Sequence, residues 1–328
     1  MFAWQLIIHI VILINITLIG GILPLIERKY LSLIQRRVGP KFVGYKGRLQ
    51  FIADALKMFL KGCIIPSSAN TFFFLFWPAV VLSLCYLFWI NSLWGVNIMY
   101  MELEYNIVFL SLLSIGVNSA IFLTGYFSKN KYALLGSIRT LIVLFGLELL
   151  LGLFFLTLMI FMNSFHISII HVLQEEFSLA ILFSIVINFI VILVLLEINK
   201  SPFDLNEAET ELVTGYHTEY GAFWFALFYL GEYFNIVLSS TIFTLVFLGG
   251  WLTGGVYLPL IFAIKVYLLL YSFIWVRATF PRYRFDQLIQ IGWKQLLPVA
   301  MAGFIYVLGV RVGCEGLLLL MFNQWVYR

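Results

Sequence analysis

The sequence predicts an all-α integral membrane protein with about eight transmembrane helices and an amphipathic surface helix. Three observations lead to this class. Of the 328 residues, 62% are hydrophobic and only 11% are charged, whereas soluble domains carry about 25% charged residues. Long apolar segments recur along the whole chain. Loops that contain Lys or Arg alternate with loops that contain neither.

Eight segments are long and apolar enough to span a bilayer, which takes about 20 residues. They cover residues 3–25, 72–93, 105–127, 138–162, 178–198, 222–247, 255–278 and 296–320. Because the first cations, Arg28 and Lys29, follow the first apolar run, we expect a retained helix and not a cleaved signal peptide. Residues 1–328 then form a single membrane domain.

The cations support this helix count. The first, third, fifth and seventh connections contain Lys or Arg, and the second, fourth and sixth contain neither. We therefore expect the odd-numbered connections to lie together in the cytoplasm or matrix. Within the first connection, residues 47–61 have apolar side chains at helical spacing opposite Asp54 and Lys57. This pattern predicts an amphipathic helix, either a lipid anchor or a cover for the mouth of a cavity.

Two acids fall near the middle of predicted helices, Glu148 in the fourth and Glu232 in the sixth. A charge at the bilayer centre costs about 2.5–3.5 kcal/mol on insertion scales. Such residues usually face a polar cavity, pair with a cation or hold a proton. The sequence leaves open whether Glu232 is a structural pair with a neighbouring helix or a functional group.

The connection between the fifth and sixth helices, residues 199–221, is acidic although it lies on the basic side. With the preceding helix end, its carboxylates are Glu197, Asp204, Glu207, Glu209, Glu211 and Glu219. If residues 203–212 are helical, Asp204, Glu207 and Glu211 share one face, and Glu209 points away. Two carboxylates about 6 Å apart repel by roughly 3 kcal/mol at an effective dielectric near 20. This favours a proton relay or a redox-sensitive charge cluster, with a solvated acidic face as the alternative.

A basic stretch at and after the end of the seventh helix contains Arg277, Arg282 and Arg284 among aromatic residues. Arginine pairs with carboxylates in a bidentate way and stacks on rings. Asp286 is the local candidate partner for Arg282 or Arg284.

Cofactor motifs are missing from the sequence. It contains no Gly-rich dinucleotide fingerprint, and residues 39–46 lack the Ser or Thr of a P-loop. The four His residues make no pair at helical spacing, and the three Cys residues lie far apart. We therefore expect no metal, haem, iron–sulfur, flavin or NAD site. The net charge of +4 is spread along the chain and does not indicate nucleic acid binding.

Four blocks of the sequence, taken together in their order and spacing, are specific enough to indicate a family. They are Glu27-Arg-Lys with Gln35-Arg-Arg-Val-Gly-Pro40; Ala53-Asp-Ala-Leu-Lys57; Glu197 to Glu211 with Glu219-Tyr220 and Glu232-Tyr233; and Arg277 to Leu288. Their order and spacing resemble a membrane subunit family of respiratory NADH–quinone oxidoreductase, which comprises the mitochondrial chain 1 and its bacterial counterpart. The similarity extends from Met1 to about Leu297.

This resemblance implies eight helices beside a peripheral arm, a ubiquinone tunnel closed by this subunit, and coupling of quinone reduction to proton translocation. The implied quinone-binding positions are Arg28, Arg37, Asp54, Phe223 and Phe228. The implied proton path and coupling loop contain Glu148, Glu197, Asp204, Glu207, Glu209, Glu211, Glu219 and Glu232. The implied basic cluster contains Arg277, Arg282, Arg284 and Asp286.

The resemblance also implies partners. They are ubiquinone as substrate, lipids, the peripheral-arm subunits of the quinone site and the neighbouring proton-channel membrane subunits. The Leu, Ile and Phe bias favours an organelle gene, and hence the mitochondrial inner membrane over a bacterial plasma membrane. The odd-numbered loops would then lie in the matrix.

Several positions depart from the family pattern, namely Val38, Gly62, Val143 and Leu147, and the segment after Gly309 matches nothing in it. Val143 and Leu147 bring the water organisation around Glu148 into question. Three other functions stay open at this point: a membrane hydrogenase subunit of the same architecture, an independent ion transporter, and a passive assembly scaffold.

Overall fold

The computed structural model describes residues 2–90, 103, 105–162, 164–167, 170, 174, 179–182, 187–205, 212–253, 256–257 and 259–326. Its helices are α1 (Phe2–Ile34), α2 (Gln50–Leu60), α3 (Thr71–Ile90), α4 (Asn106–Phe127), α5 (Lys131–Met162), α6 (Leu179–Leu182), α7 (Ile187–Glu197), α8 (Ala222–Phe247), α9 (Pro259–Thr279), α10 (Phe285–Gln290) and α11 (Leu297–Val326). Two 3-10 turns occupy Tyr45–Gly47 and Gly215–His217, and a π-helical turn occupies Ile291–Leu296.

The all-α class is confirmed. Within the described residues the only strands are β1 (Leu252–Thr253) and β2 (Val256–Tyr257), which form one short antiparallel ladder. Six helical segments there are long and apolar enough to cross a membrane: Thr71–Ile90, Asn106–Phe127, Lys131–Met162, Ala222–Phe247, Pro259–Thr279 and Phe285–Gly313. The described parts of the predicted helix 178–198 are the short α6 and α7. The total of eight spans therefore stays a prediction.

Two helices are longer than their apolar segments. Helix α1 continues to Ile34, past the predicted end at residue 25, and its charged residues Glu27 and Arg28 have partners elsewhere in the fold. Helix α5 begins at Lys131, before the predicted start at residue 138. Hydropathy locates the part of a helix that lies in lipid, whereas backbone hydrogen bonds and caps decide where the helix ends.

Helix α8 is the central helix of the bundle. It packs against α1, α2, α3 and α9. Of its apolar stretch 67% is buried, compared with 11% for α9. A polar side chain in the middle of α8 therefore lies inside the protein, where it needs a partner or water.

Helix α11 packs against α5. The Arg311 guanidinium donates to the carbonyl of Ile160 in α5. This contact joins the segment after Gly309 to the bundle.

Gln174 ties the end of α8 to the neighbouring loops. Its Nε2 donates to the carbonyls of Val246 at 2.8 Å and of Ile170 and Leu245 at 3.2 Å. Its Oε1 accepts the backbone N–H of Gly249 at 3.1 Å. Gln174 is 3% exposed. Bulk water therefore could not take over the hydrogen bonds to these backbone groups if the side chain were removed.

We predict that Gln174→Leu destabilises the protein by about 2 kcal/mol, because buried backbone groups lose a hydrogen-bond partner. The measurement is the thermal midpoint of the membrane-extracted protein in detergent. Gln290→Leu, at an exposed position, serves as the control and is expected to leave the midpoint nearly unchanged. Equal midpoints for both variants would contradict a stabilising role of Gln174.

Candidate functional site

Glu232 in α8 forms a largely buried ion pair. Its Oε2 accepts a hydrogen bond from Lys200 Nζ at 2.5 Å, and its Oε1 accepts one from the Tyr216 hydroxyl at 2.8 Å. The Lys200 and Glu232 side chains are 13% and 18% exposed. Lys200 comes just after α7, so the pair joins the end of one helix to the middle of another. The structure thus shows the ion pair that the sequence left open as one interpretation of Glu232.

Glu197, the last residue of α7, borders three neighbouring cavities. One of about 30 Å³ lies between Glu197 and the Tyr216–Glu232 contact. The other two, of about 60 and 10 Å³, lie between Glu197 and Glu148. A buried water needs about 10–15 Å³ and two to four polar partners. The larger spaces therefore have room for water between the acids of α5, α7 and α8.

Polar side chains line this space together with the acids. The Ser114 hydroxyl lies 2.8 Å from Glu148 Oε1 and acts as its hydrogen-bond donor. Asn118 borders all three cavities, and Asn235 borders the two larger ones. Val143 borders only the smallest of the three. The line Glu232, Glu197, Glu148 thus follows a polar route inside an otherwise apolar bundle.

Glu27 of α1 is a site residue that the sequence analysis did not single out. It is 5% exposed and accepts hydrogen bonds from the Arg277 guanidinium of α9 and, at 2.5 Å, from the Tyr233 hydroxyl of α8. A cavity of about 30 Å³ lies between this pair and Lys200. The signal in the sequence was an acid at the end of the first apolar run, but its partner is 250 residues away.

Arg282 of the predicted basic cluster has its partner in the acidic connection. Arg282 pairs with Asp204 at 3.1 Å and not with Asp286, so the local partner proposed for it was wrong. Asp204 is 8% exposed, and a buried carboxylate without a cation is penalised far more than an exposed one such as Asp286. Among the described residues no ion pair joins Arg284 to Asp286, and both are exposed.

The acidic connection is anchored at both described ends. At its start, the Tyr283 N–H donates to the Pro202 carbonyl at 3.0 Å, beside the Arg282–Asp204 pair. At its end, Glu219 Oε1 accepts a hydrogen bond from Asn130 Nδ2 at 2.5 Å. Residues 203–205 are not helical, so the condition considered above, a helix over all of 203–212, is not met at its start. The acids Glu207, Glu209 and Glu211 lie outside the described residues.

Three of the predicted quinone-binding residues lie where α1, α2 and α8 meet. Arg28 Nη1 donates to Asp54 Oδ2 at 2.7 Å, with side chains 48% and 38% exposed. Phe223, near the start of α8, packs against the exposed Phe59 of α2 with ring centroids 5.5 Å apart. Helix α2 lies within the predicted surface segment 47–61.

The other two predicted quinone-binding residues lie apart from this group. Arg37 is exposed and donates to Gln35 Oε1 at 2.7 Å. Phe228 is 2% exposed and packs edge-on against Tyr216 and Tyr220. Its ring therefore packs beside Tyr216, the hydrogen-bond donor to Glu232, and does not border the outer surface of this chain.

The arrangement of the His, Cys, Asp and Glu side chains bears on metal binding. In the part of the chain that the structure describes, no three His, Cys, Asp or Glu side chains come together as metal ligands. The expectation that this chain carries no cofactor stays a prediction.

Comparisons with known proteins agree on one family. A family model described as NADH dehydrogenase matches residues 7–308. NADH-ubiquinone oxidoreductase chain 1 of Paramecium tetraurelia is 53% identical over 247 residues, which cover 75% of this chain and 95% of that protein. The Arabidopsis thaliana protein of the same name is 40% identical over 317 residues, covering 90% and 96%. An NADH-quinone oxidoreductase subunit of the bacterium Rhodospirillum centenum is 40% identical over 295 residues, covering 87% of each.

These matches confirm the resemblance carried by the four sequence blocks. The family model covers residues 7–308, and the three relatives match 75–90% of this chain and 87–96% of their own lengths. The buried acids, the basic cluster and the α1–α2 surface all lie within the matched residues. The chain belongs to the NADH dehydrogenase family that includes NADH-ubiquinone oxidoreductase chain 1 and the matching bacterial NADH-quinone oxidoreductase subunit.

Proposed function

We propose that this chain is the membrane subunit of respiratory complex I that forms the ubiquinone entry and binding chamber and couples quinone reduction to proton translocation. The observation that carries the coupling role is the set of cavities sharing Glu197, which lie between the Lys200–Glu232 pair and Glu148. Family membership supports the quinone role, because the relatives are named as ubiquinone or quinone oxidoreductase subunits.

The quinone side of the proposal is the surface formed by Arg28, Asp54, Phe59 and Phe223. A quinone has a flat ring with two carbonyl acceptors and an apolar tail. An exposed guanidinium offers a donor for a carbonyl, and the two phenyl rings offer an apolar wall. Ubiquinone entering from lipid would pass this surface on its way to the subunits that supply the electrons.

The coupling side follows from charge. Reduction of a quinone takes up electrons and protons, which changes the electrostatic potential beside the acidic connection. Lys200 lies between two acid groups: it pairs with Glu232 and borders the cavity of the Glu27–Arg277 pair. A shift of Lys200 away from Glu232 would leave that buried carboxylate uncompensated, which favours proton uptake. Glu197 and Glu148 are the next groups along the cavities.

The partners and location follow from the same proposal. The partners are the peripheral-arm subunits at the quinone site, the neighbouring proton-channel subunits, ubiquinone and lipids. The chain would act as a subunit of proton-translocating NADH:ubiquinone oxidoreductase without a redox cofactor of its own. It would lie in the mitochondrial inner membrane with its odd-numbered loops in the matrix.

We predict that Glu197→Gln lowers ubiquinone reduction by the assembled complex roughly tenfold and lowers the proton-to-electron ratio, because a neutral amide cannot relay a proton. The measurement is NADH oxidation and proton uptake in proteoliposomes. Glu102→Gln, in a connection on the opposite side of the predicted topology, is the control. A Glu197→Gln complex with wild-type turnover and ratio would refute the relay.

We predict that removing one partner of the buried pair harms assembly more than removing both. Lys200→Met removes the cation beside Glu232 Oε2, and breaking one side of a buried ion pair costs about 3–5 kcal/mol. The double variant Lys200→Met with Glu232→Leu removes both charges of this pair and should assemble at higher yield, yet should not pump. Wild-type pumping by the assembled double variant would reduce the pair to a structural role.

We predict that Asp54→Asn raises the KM for a short-chain ubiquinone several-fold. The Asp54 carboxylate orients the Arg28 guanidinium, and the neutral amide would hold it less strongly. NADH oxidation with an artificial acceptor that bypasses the quinone should be unchanged. Lys61→Gln, at an exposed position just past the end of α2, controls for loss of surface charge. An unaltered KM in Asp54→Asn would argue against a quinone at this surface.

A further inference from the structure

The end of the acidic connection docks closely on α3, α4 and α5. Tyr220 stacks on Phe74 of α3 with ring centroids 4.1 Å apart, and its hydroxyl donates to the Thr124 carbonyl of α4 at 3.4 Å. Gly136 of α5 meets the backbone of the 3-10 turn so closely that an added Cβ would lie 3.0 Å from Tyr216 N. This docking positions Tyr216, the residue whose hydroxyl donates to Glu232.

Asn130 has two roles at the edge of this docked segment. It is the N-cap of α5, because its carbonyl accepts the N–H of Leu134 at 2.9 Å and its Oδ1 accepts the N–H of Tyr132 at 2.9 Å. Its Nδ2 donates to Glu219 Oε1 at 2.5 Å. Since the cap uses the amide oxygen, the amide nitrogen is the atom left to face the carboxylate.

We propose that Asn130 is a positioning residue that fixes the acidic connection, through Glu219, in the register that brings Tyr216 to Glu232. This inference rests on the proposed function and adds a residue to it. The Glu219 carboxylate also lies beside the N-terminal end of α5, where the helix dipole favours negative charge. Together with Arg282–Asp204, the contact anchors the connection at both described ends.

The test exchanges the donor and the acceptor. Asn130→Asp keeps the helix cap, since Asp caps as well as Asn, but places a carboxylate against Glu219. We expect this variant to lose roughly tenfold in ubiquinone reduction per assembled complex, the size of a lost hydrogen bond to a charged group, with a lower proton-to-electron ratio. Adding Glu219→Gln restores a donor–acceptor pair with the roles reversed and should recover most of both losses.

Lys131→Gln is the matched control. It changes the net charge by the same amount at the neighbouring exposed residue and should behave as the wild type. If Asn130→Asp fails to assemble, Asn130→Ser takes its place, because Ser also caps the helix but has no amide nitrogen to donate to Glu219. A purely structural role would reduce the amount of complex and leave the proton-to-electron ratio per complex unchanged.

Two results would overturn the inference: a wild-type ratio in assembled Asn130→Asp or Asn130→Ser, or a double variant no better than Asn130→Asp. The failure of this inference is distinguishable from failure of the proposed function. If Glu197→Gln uncouples the complex while the Asn130 variants behave as wild type, only the positioning role falls. If Glu197→Gln is fully coupled, the proposed relay itself falls.

Discussion

Carboxylates inside an apolar helix bundle must be paired, hydrogen-bonded, hydrated or protonated, and this requirement organises the centre of the fold. The chain uses a different solution for each acid. Glu27 is paired and hydrogen-bonded, Glu232 has a lysine and a tyrosine, and Glu148 has a serine beside a cavity. Glu197 stands where three cavities meet. Paired acids hold helices together, and the less satisfied ones are where protonation can change.

Lys200 connects a paired acid, Glu232, with a less satisfied one, Glu197. It follows α7, which ends at Glu197, and it reaches α8 at Glu232. Displacement of the connection that begins at Lys200 would therefore alter the pairing of a mid-bundle acid without any large movement of the helices. The anchors at Asp204 and Glu219 limit how such a displacement is transmitted. Under the proposed function, this arrangement would link charge at the quinone surface to protonation inside the bundle.

The sequence predicted the all-α class and the acids of the inner line, because composition, intramembrane charge and the four family blocks are local signals. It did not predict Glu27 with Arg277 or Arg282 with Asp204, since those partners are far apart in sequence and nearest-neighbour reasoning favoured Asp286. Helix ends were also misplaced, because hydropathy does not report caps such as Asn130. Val143, which departs from the family pattern, borders only the smallest of the three cavities, so it leaves the two larger ones unaffected.

The central claim is that water joins Glu232, Glu197 and Glu148 through the cavities they border. The most direct measurement is a cryo-electron microscopy map of the assembled complex in its membrane lipids, at a resolution that shows ordered water. The account predicts a continuous series of waters in hydrogen-bond contact with the three carboxylates and with Asn118. Apolar packing or dry space between Glu197 and Glu148 in every resolved state would contradict it.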